Sequence, residues 1–123
     1  MAGEYTIWHN PKCSTSRFVL ESLRRGGIEP VVRDYQKDPP SVEELRTVLS
    51  AMDATPRDLL RRKGDLYLEM GLDDPELTDD QLIQVLSSHP QLIERPLVIS
   101  PRATLLCRPK DRVFDLLPQS QTS

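Results

Sequence analysis

Residues 5–17 read YTIWHNPKCSTSR and join a short strand to the start of a helix. The first four residues are aromatic or β-branched, which favours a strand, and Pro11 stops a central strand from continuing. Apolar residues at helical spacing begin after Ser14. The pattern therefore predicts that Cys13 lies at the entrance of the first helix.

Outward from this stretch, both ends of the chain carry strand signals. A Gly-Gly pair predicts the end of the first helix, and residues 30–34 predict a second strand, so the opening third reads β-α-β with a parallel crossover. Residues 97–99 and 104–107 are apolar runs on either side of a turn and predict an antiparallel hairpin. The apolar spacing over residues 113–117 predicts a final helix.

The middle of the chain predicts helices. Ser41 with Glu44, and Thr78 with Gln81, have the spacing of capping boxes ahead of apolar residues at helical spacing, and two shorter helices are expected between them. The order β-α-β, helices, β-β-α predicts an α/β fold class with a thioredoxin-like core and a helical insertion at about 38–92. Periodicity alone also allows another α+β arrangement.

The composition favours a single domain. A chain of 123 residues with 37% hydrophobic and 28% charged residues suits one globular unit over residues 1–123. The net charge of −3 argues against nucleic-acid binding, and the chain lacks the long apolar run of a membrane span and the features of a signal peptide. The two cysteines are therefore expected to be reduced thiols in a cytoplasmic protein. A monomer is the default expectation.

Cys13 is the candidate nucleophile. A helix N-terminus offers positive dipole charge and unpaired N–H groups, which lower a thiol pKa from about 8.5 to between about 3.5 and 7.5 and also bind anions. His9 adds an imidazole, Ser16 a hydroxyl and Arg17 a cation, so the set suits an anionic substrate. The plainer alternative is that the serines only cap the helix and that His9 is a solvated turn residue.

The spacing around Cys13 excludes several related sites. Cys13 and Ser16 form a C-x-x-S motif, which cannot close an internal disulfide and therefore requires an external thiol. A phosphatase loop of the C-x-x-x-x-x-R type would need arginine where Val19 stands. We expect no metal, because His9 and Cys13 lack further ligands at suitable spacing.

Residues 9–17, HNPKCSTSR, closely resemble the signature of the glutaredoxin-coupled arsenate reductase family, and the similarity extends over about residues 5–118. The resemblance implies a thioredoxin-like fold and reduction of arsenate to arsenite. Four further stretches match the family in order and spacing: residues 59–62, 78–83, 94–98 and 106–109.

The resemblance also implies roles for individual residues, with Cys13 attacking arsenate as a thiolate. By motif position, the residues implied to bind the substrate are Arg61, Arg95 and Arg108, and we expect the Ser16 hydroxyl to contribute to binding as well. We expect His9, Asn10 and Arg17 to support the site, and the resemblance implies that Pro96 does so after a cis peptide bond. Guanidinium groups suit tetrahedral oxyanions because they donate paired hydrogen bonds. Taken singly, Arg61 is better explained as a charge near a helix end, and Arg95 and Arg108 fit solvated strand edges. Their joint match with the Cys13 signature is what favours substrate binding.

The implied reaction uses small molecules and a protein partner. Arsenate is the substrate, glutathione is the co-substrate, and glutaredoxin reduces the mixed disulfide that remains on Cys13. No bound cofactor, metal, nucleic acid or membrane partner is expected. Cys107 reads as a buried strand residue.

Two alternatives remain open from the residues. Spx-type regulators share the fold and bind RNA polymerase, although their redox switch usually needs C-x-x-C, and Ser16 replaces its second cysteine here. A glutathione-dependent thiol oxidoreductase with another substrate would also use a C-x-x-S site.

Overall fold

The computed structural model describes residues 4–117. Strands from both ends of the chain form one four-stranded sheet. The strands lie in the order β2-β1-β3-β4: β1 (Thr6–His9), β2 (Val31–Asp34), β3 (Leu97–Ile99) and β4 (Thr104–Leu106). β1 pairs with β2 in parallel, and the other neighbours are antiparallel. The predicted β-α-β unit and hairpin are confirmed, as is the thioredoxin-like α/β class.

Helix α1 (Ser14–Arg25) connects β1 to β2. It begins after a tight turn in which the Cys13 N–H donates to the Asn10 carbonyl at 3.0 Å. It ends where Gly27 adopts a φ of +88°, a left-handed conformation that favours glycine. The Ile28 N–H then donates to the Leu23 carbonyl at 2.9 Å and closes the last turn.

The sheet and α1 enclose an apolar core. Its buried members are Tyr5, Ile7, Val19, Leu23, Val98, Cys107, Val113 and Leu116. The Tyr5 hydroxyl donates to the Leu116 carbonyl at 2.6 Å, which fastens the end of the described chain to its beginning. Cys107 is fully buried, as predicted, but it lies one residue beyond β4 rather than within the strand.

The predicted final helix is a 3-10 helix, Lys110–Leu116, and not an α-helix. Its two buried residues, Val113 and Leu116, are three apart. Residues at that spacing eclipse one another in a 3-10 helix, whose period is three residues. The tighter helix therefore aims both anchors at the core, and the prediction was wrong in helix type. The predicted polar tail, residues 118–123, lies outside the described residues.

Residues 36–94 form a second compact unit, distinct from the unit of residues 4–35 and 95–117. Its helices are α2 (Val42–Met52), α3 (Asp65–Glu69) and α4 (Asp79–Ser88), with 3-10 turns at Pro56–Leu59 and Pro90–Leu92. Both predicted capping boxes are present, and α2 packs against α4. The single-domain organisation with an insertion at about 38–92 stays a prediction. Within residues 4–117, no helix has the length and apolar character that crossing a bilayer requires.

Candidate active site

Cys13 is the N-cap residue of α1, as the sequence predicts. Its backbone is extended, with φ −96° and ψ 122°, and its free thiol is partly buried. No oxygen-bearing side chain caps the helix, and the N–H groups of Thr15 and Ser16 are directed at the Cys13 sulfur instead. The first turn also contains no acidic residue. The helix dipole therefore acts on the thiol without a competing carboxylate.

Opposing influences set the pKa of Cys13. Partial burial is the largest single influence and raises the pKa of the thiol. Hydrogen bonds from the Ser16 and Thr15 N–H groups, together with the charges of Arg95 and Arg108, lower it by more. The pKa of Cys13 therefore lies below its ordinary value, and the thiolate is favoured.

The His9 side chain is tied to the helix by a short contact. Its Nδ1 lies 2.6 Å from Ser16 Oγ, and the Asn10 N–H donates to the same oxygen at 3.1 Å. Burial lowers the pKa of His9, the charges of Arg17 and Arg24 lower it further, and the charge of Asp34 opposes them. A neutral imidazole protonated at Nε2 satisfies both contacts, because Nδ1 then accepts the Ser16 hydroxyl proton.

Asn10 lies in the loop before α1, whereas Ser16 and Arg17 lie in the first turn of the helix. Ser16 is fully buried, and its hydroxyl is engaged with His9 and Asn10, so its N–H is the group that faces Cys13. Asn10 Oδ1 accepts from the Lys12 N–H at 3.0 Å. Arg17 is exposed and donates to the Pro11 carbonyl at 2.7 Å. These residues hold the shape of the loop that carries Cys13.

Arg95 is buried without hydrogen-bond partners for two of its donors. Its side chain is only 6% exposed, and within residues 4–117 neither Nε nor Nη1 has a partner. The Tyr35 ring lies beneath the guanidinium, with 5.9 Å between Cζ and the ring centroid. Buried unpaired donors on a permanent cation are costly, so this group is suited to receiving an anion.

Arg108 and Pro96 organise the chain around Arg95. Arg108 Nη1 donates to the Arg95 main-chain carbonyl at 2.9 Å. The Arg95-Pro96 bond is cis, as the resemblance implies, and the Pro96 carbonyl accepts from the Cys107 N–H at 2.9 Å. The structure thus brings together Cys13, Arg95 and Arg108 in one unit, close enough for both charges to act on the thiol.

Arg61 belongs to the unit of residues 36–94. Its Nη1 lies 3.1 Å from Glu94 Oε1 in a partly buried ion pair, with side chains 24% and 23% exposed. Its N–H donates to the Leu92 carbonyl at 2.7 Å. The predicted role of Arg61 in holding the oxyanion stays a prediction, as do the other residue roles.

Tyr35 is the site residue that sequence reasoning missed. It is fully buried directly after β2, and its contact with Arg95 joins positions sixty residues apart. Patterns of neighbouring residues in the sequence do not predict a contact over this separation. The sequence shows only that a tyrosine follows the strand predicted at residues 30–34.

The fold and site define a class: a thioredoxin-like protein with one activated thiol at its first helix and arginines close to it. Residues 8–116 match the ArsC family, and the chain belongs to that family.

The chain is similar to proteins named arsenate reductase. It is 48% identical over 116 residues to one from Escherichia coli and 46% identical over 115 residues to one from Rhizobium meliloti, covering 94% of this chain and 82% of each relative. The solved arsenate reductase from Vibrio cholerae is 40% identical with a TM-score of 0.89, covering 95% of this chain and all of that one.

Proposed function

We propose that this protein is an arsenate reductase in which the Cys13 thiolate attacks arsenate and glutathione with glutaredoxin supplies the electrons. One observation carries the proposal: a buried Arg95 guanidinium with two unpaired donors acts on a thiol whose pKa is lowered. A thiolate nucleophile and an oxyanion acceptor are the two parts that such a reaction needs. Membership of the ArsC family and the names of the relatives support the choice of oxyanion.

In the first proposed step, the Cys13 sulfur displaces one oxygen of arsenate. A sulfur–arsenic bond forms, the departing oxygen leaves as hydroxide or, once protonated, as water, and arsenic remains As(V). Arg95 and Arg108 offset the charge on the remaining oxygens. Arg61 is proposed as the third cation, in line with its motif position.

In the second proposed step, glutathione supplies another thiol. Its sulfur and that of Cys13 each lose one electron as they join in a mixed disulfide, and the pair of electrons reduces As(V) to As(III), released as arsenite. Glutaredoxin then exchanges thiols with this disulfide and restores Cys13. The C-x-x-S spacing requires this external route, since Ser16 cannot resolve a disulfide.

The proposed partners and location follow from this chemistry. Two thiols supply both electrons, so the cycle requires no bound organic cofactor or metal, and glutathione acts as a co-substrate. Cys13 and Cys107 are free thiols, as in proteins of a reducing compartment, which supports a cytoplasmic location. We propose a monomer that binds neither nucleic acid nor membrane.

A coupled assay tests the proposal. Purified protein is mixed with glutathione, glutaredoxin, glutathione reductase and NADPH, and NADPH oxidation is followed with and without arsenate. Arsenate-dependent oxidation with release of arsenite is the expected result.

Two outcomes would contradict the proposal. Turnover of a glutathione mixed disulfide without any response to arsenate would favour a thiol oxidoreductase with another substrate. Capture of RNA polymerase with no arsenate turnover would favour an Spx-like regulator.

A further inference from the structure

The Arg95 guanidinium is held in an unusual way for a buried cation. Buried arginines are normally fixed by carboxylates or carbonyls that accept several of their five donors. Here Nε and Nη1 have no acceptor within the described chain, and the side chain is 6% exposed. The contact found on its face is the ring of Tyr35, which is itself 0% exposed.

We infer that Tyr35 is a positioning residue that holds Arg95 by a cation–π contact and so keeps two of its N–H donors open for the substrate oxyanion. This inference rests on the proposed function and deepens it, because it names what orients an oxyanion ligand.

The physical reason is that an aromatic face attracts a cation without accepting its N–H hydrogens. A carboxylate in the same place would neutralise the charge and occupy the donors that an oxyanion needs. The 5.9 Å separation lies within the range of effective cation–π contacts, and such contacts are strongest where water is excluded, as at this buried pair.

The backbone around Arg95 supports the same conclusion. Arg108 Nη1 donates to the Arg95 carbonyl at 2.9 Å, which fixes the main chain but not the guanidinium. The contact with the Tyr35 ring acts on the guanidinium itself, which is why we assign the orientation of the side chain to it. Since the charge of Arg95 lowers the pKa of Cys13, a displaced guanidinium is expected to affect the thiol as well.

The test compares Tyr35→Leu with Tyr35→Phe. Tyr35→Leu removes the aromatic face, and we expect KM for arsenate to rise about 3- to 30-fold, with a smaller change in kcat. The pKa of Cys13, read from the ultraviolet absorbance of its thiolate, is expected to rise. Tyr35→Phe keeps the ring and should retain the wild-type KM and thiol pKa.

Tyr5→Leu is the matched control, because Tyr5 is another buried tyrosine of the same unit and lies in the apolar core. It should lower the melting temperature while leaving KM and the thiol pKa unchanged. If Tyr35→Leu lowers only the melting temperature, as Tyr5→Leu does, Tyr35 is a packing residue and the inference is wrong.

A ring series covers the case in which Tyr35→Leu does not fold. Position 35 is given phenylalanine and then a trifluorinated phenylalanine, which keeps the shape but weakens the negative ring face. A rise in KM with fluorination supports the inference, and equal values overturn it. Arsenate turnover of the wild type tests the proposed function separately, and the thiol pKa tests Tyr35 even if arsenate is not the substrate.

Discussion

The helix that carries Cys13 begins very differently from α2 and α4, the two longer helices of the second unit. α2 and α4 each start with a capping box and two acidic residues in the first turn, so their free N–H groups and dipoles are satisfied within the chain. α1 starts with no side-chain cap and no acidic residue. A helix start that is left open in this way is available to an anion, whereas a capped one only stabilises the fold.

The two units also differ in net charge, and the unit that holds Cys13 is the basic one. The unit of residues 4–35 and 95–117 holds ten Lys and Arg against six Asp and Glu, a net charge of +4. Residues 36–94 hold six against thirteen, a net charge of −7. The overall charge of −3 therefore hides a basic unit around the thiol, and an acidic protein can still hold an anion where its cations are concentrated.

The largest expected effect is at the open helix start. Cys13→Ser should reduce arsenate turnover at least about thousandfold, because a hydroxyl is not ionised there and is a poor nucleophile. Cys107→Ala is the control and should retain most activity, since burial raises the pKa of Cys107 to about 12. Activity that survives Cys13→Ser would show that the open start is not the reaction centre.

The second-largest effect is expected at Arg95, in the basic unit. Arg95→Lys keeps the charge but loses the planar pair of donors, so we expect kcat/KM for arsenate to fall about 10- to 100-fold. Arg102→Lys, at an exposed position in the hairpin turn, should change little. Equal kinetics for the two variants would mean that net charge alone, and not guanidinium geometry, matters at this site.

Arg61→Lys tests whether the site depends on the basic unit alone, because Arg61 lies in the acidic unit. If it holds the oxyanion, steady-state kinetics should show kcat/KM falling about tenfold despite the retained charge. Arg62→Lys, the exposed neighbour, is the matched control. Unchanged kinetics would leave Arg61 with only its ion pair to Glu94, and the site would then depend on the basic unit alone.

The smallest expected effect comes from making α1 resemble α4. Ser14→Glu places a carboxylate in the first turn, which should stabilise the helix by about 0.3–1 kcal/mol and raise the pKa of Cys13. Thiol alkylation at neutral pH should slow by about 2- to 5-fold, while thermal unfolding shifts upward. Ser14→Gln keeps the size without the charge, and an equal slowing there would point to steric blocking instead.

Local patterns predict most of the fold. The strand, turn and helix around Cys13, both capping boxes and the hairpin follow from neighbouring residues, and the structure confirms them. The final helix was wrong in type because its two apolar anchors fit a 3-10 helix as well as an α-helix. The end of β4 was wrong by one residue, since Cys107 is buried by the core and not by strand pairing.

The candidate site is less predictable, since its contacts span the chain. Cys13 is recognised from its place before a helix, but the pairing of Tyr35 with Arg95 depends on sheet order, which joins β1 to both β2 and β3. The seryl hydroxyl at position 16 was expected to face substrate, and the structure directs it to His9. Ser16 lies in the first turn of α1, and the direction of its side chain depends on packing that apolar periodicity does not show.

The contact between Arg108 and the main chain of Arg95 limits how these two positions can be redesigned. Because its guanidinium holds the carbonyl of Arg95 at 2.9 Å, replacing it also releases the backbone of the neighbouring cation. The losses of kcat/KM caused by replacing Arg95 alone and Arg108 alone should therefore overlap rather than add. Evolution toward a different oxyanion would then face epistasis between these positions, and a library that varies both together would reach solutions that stepwise changes miss.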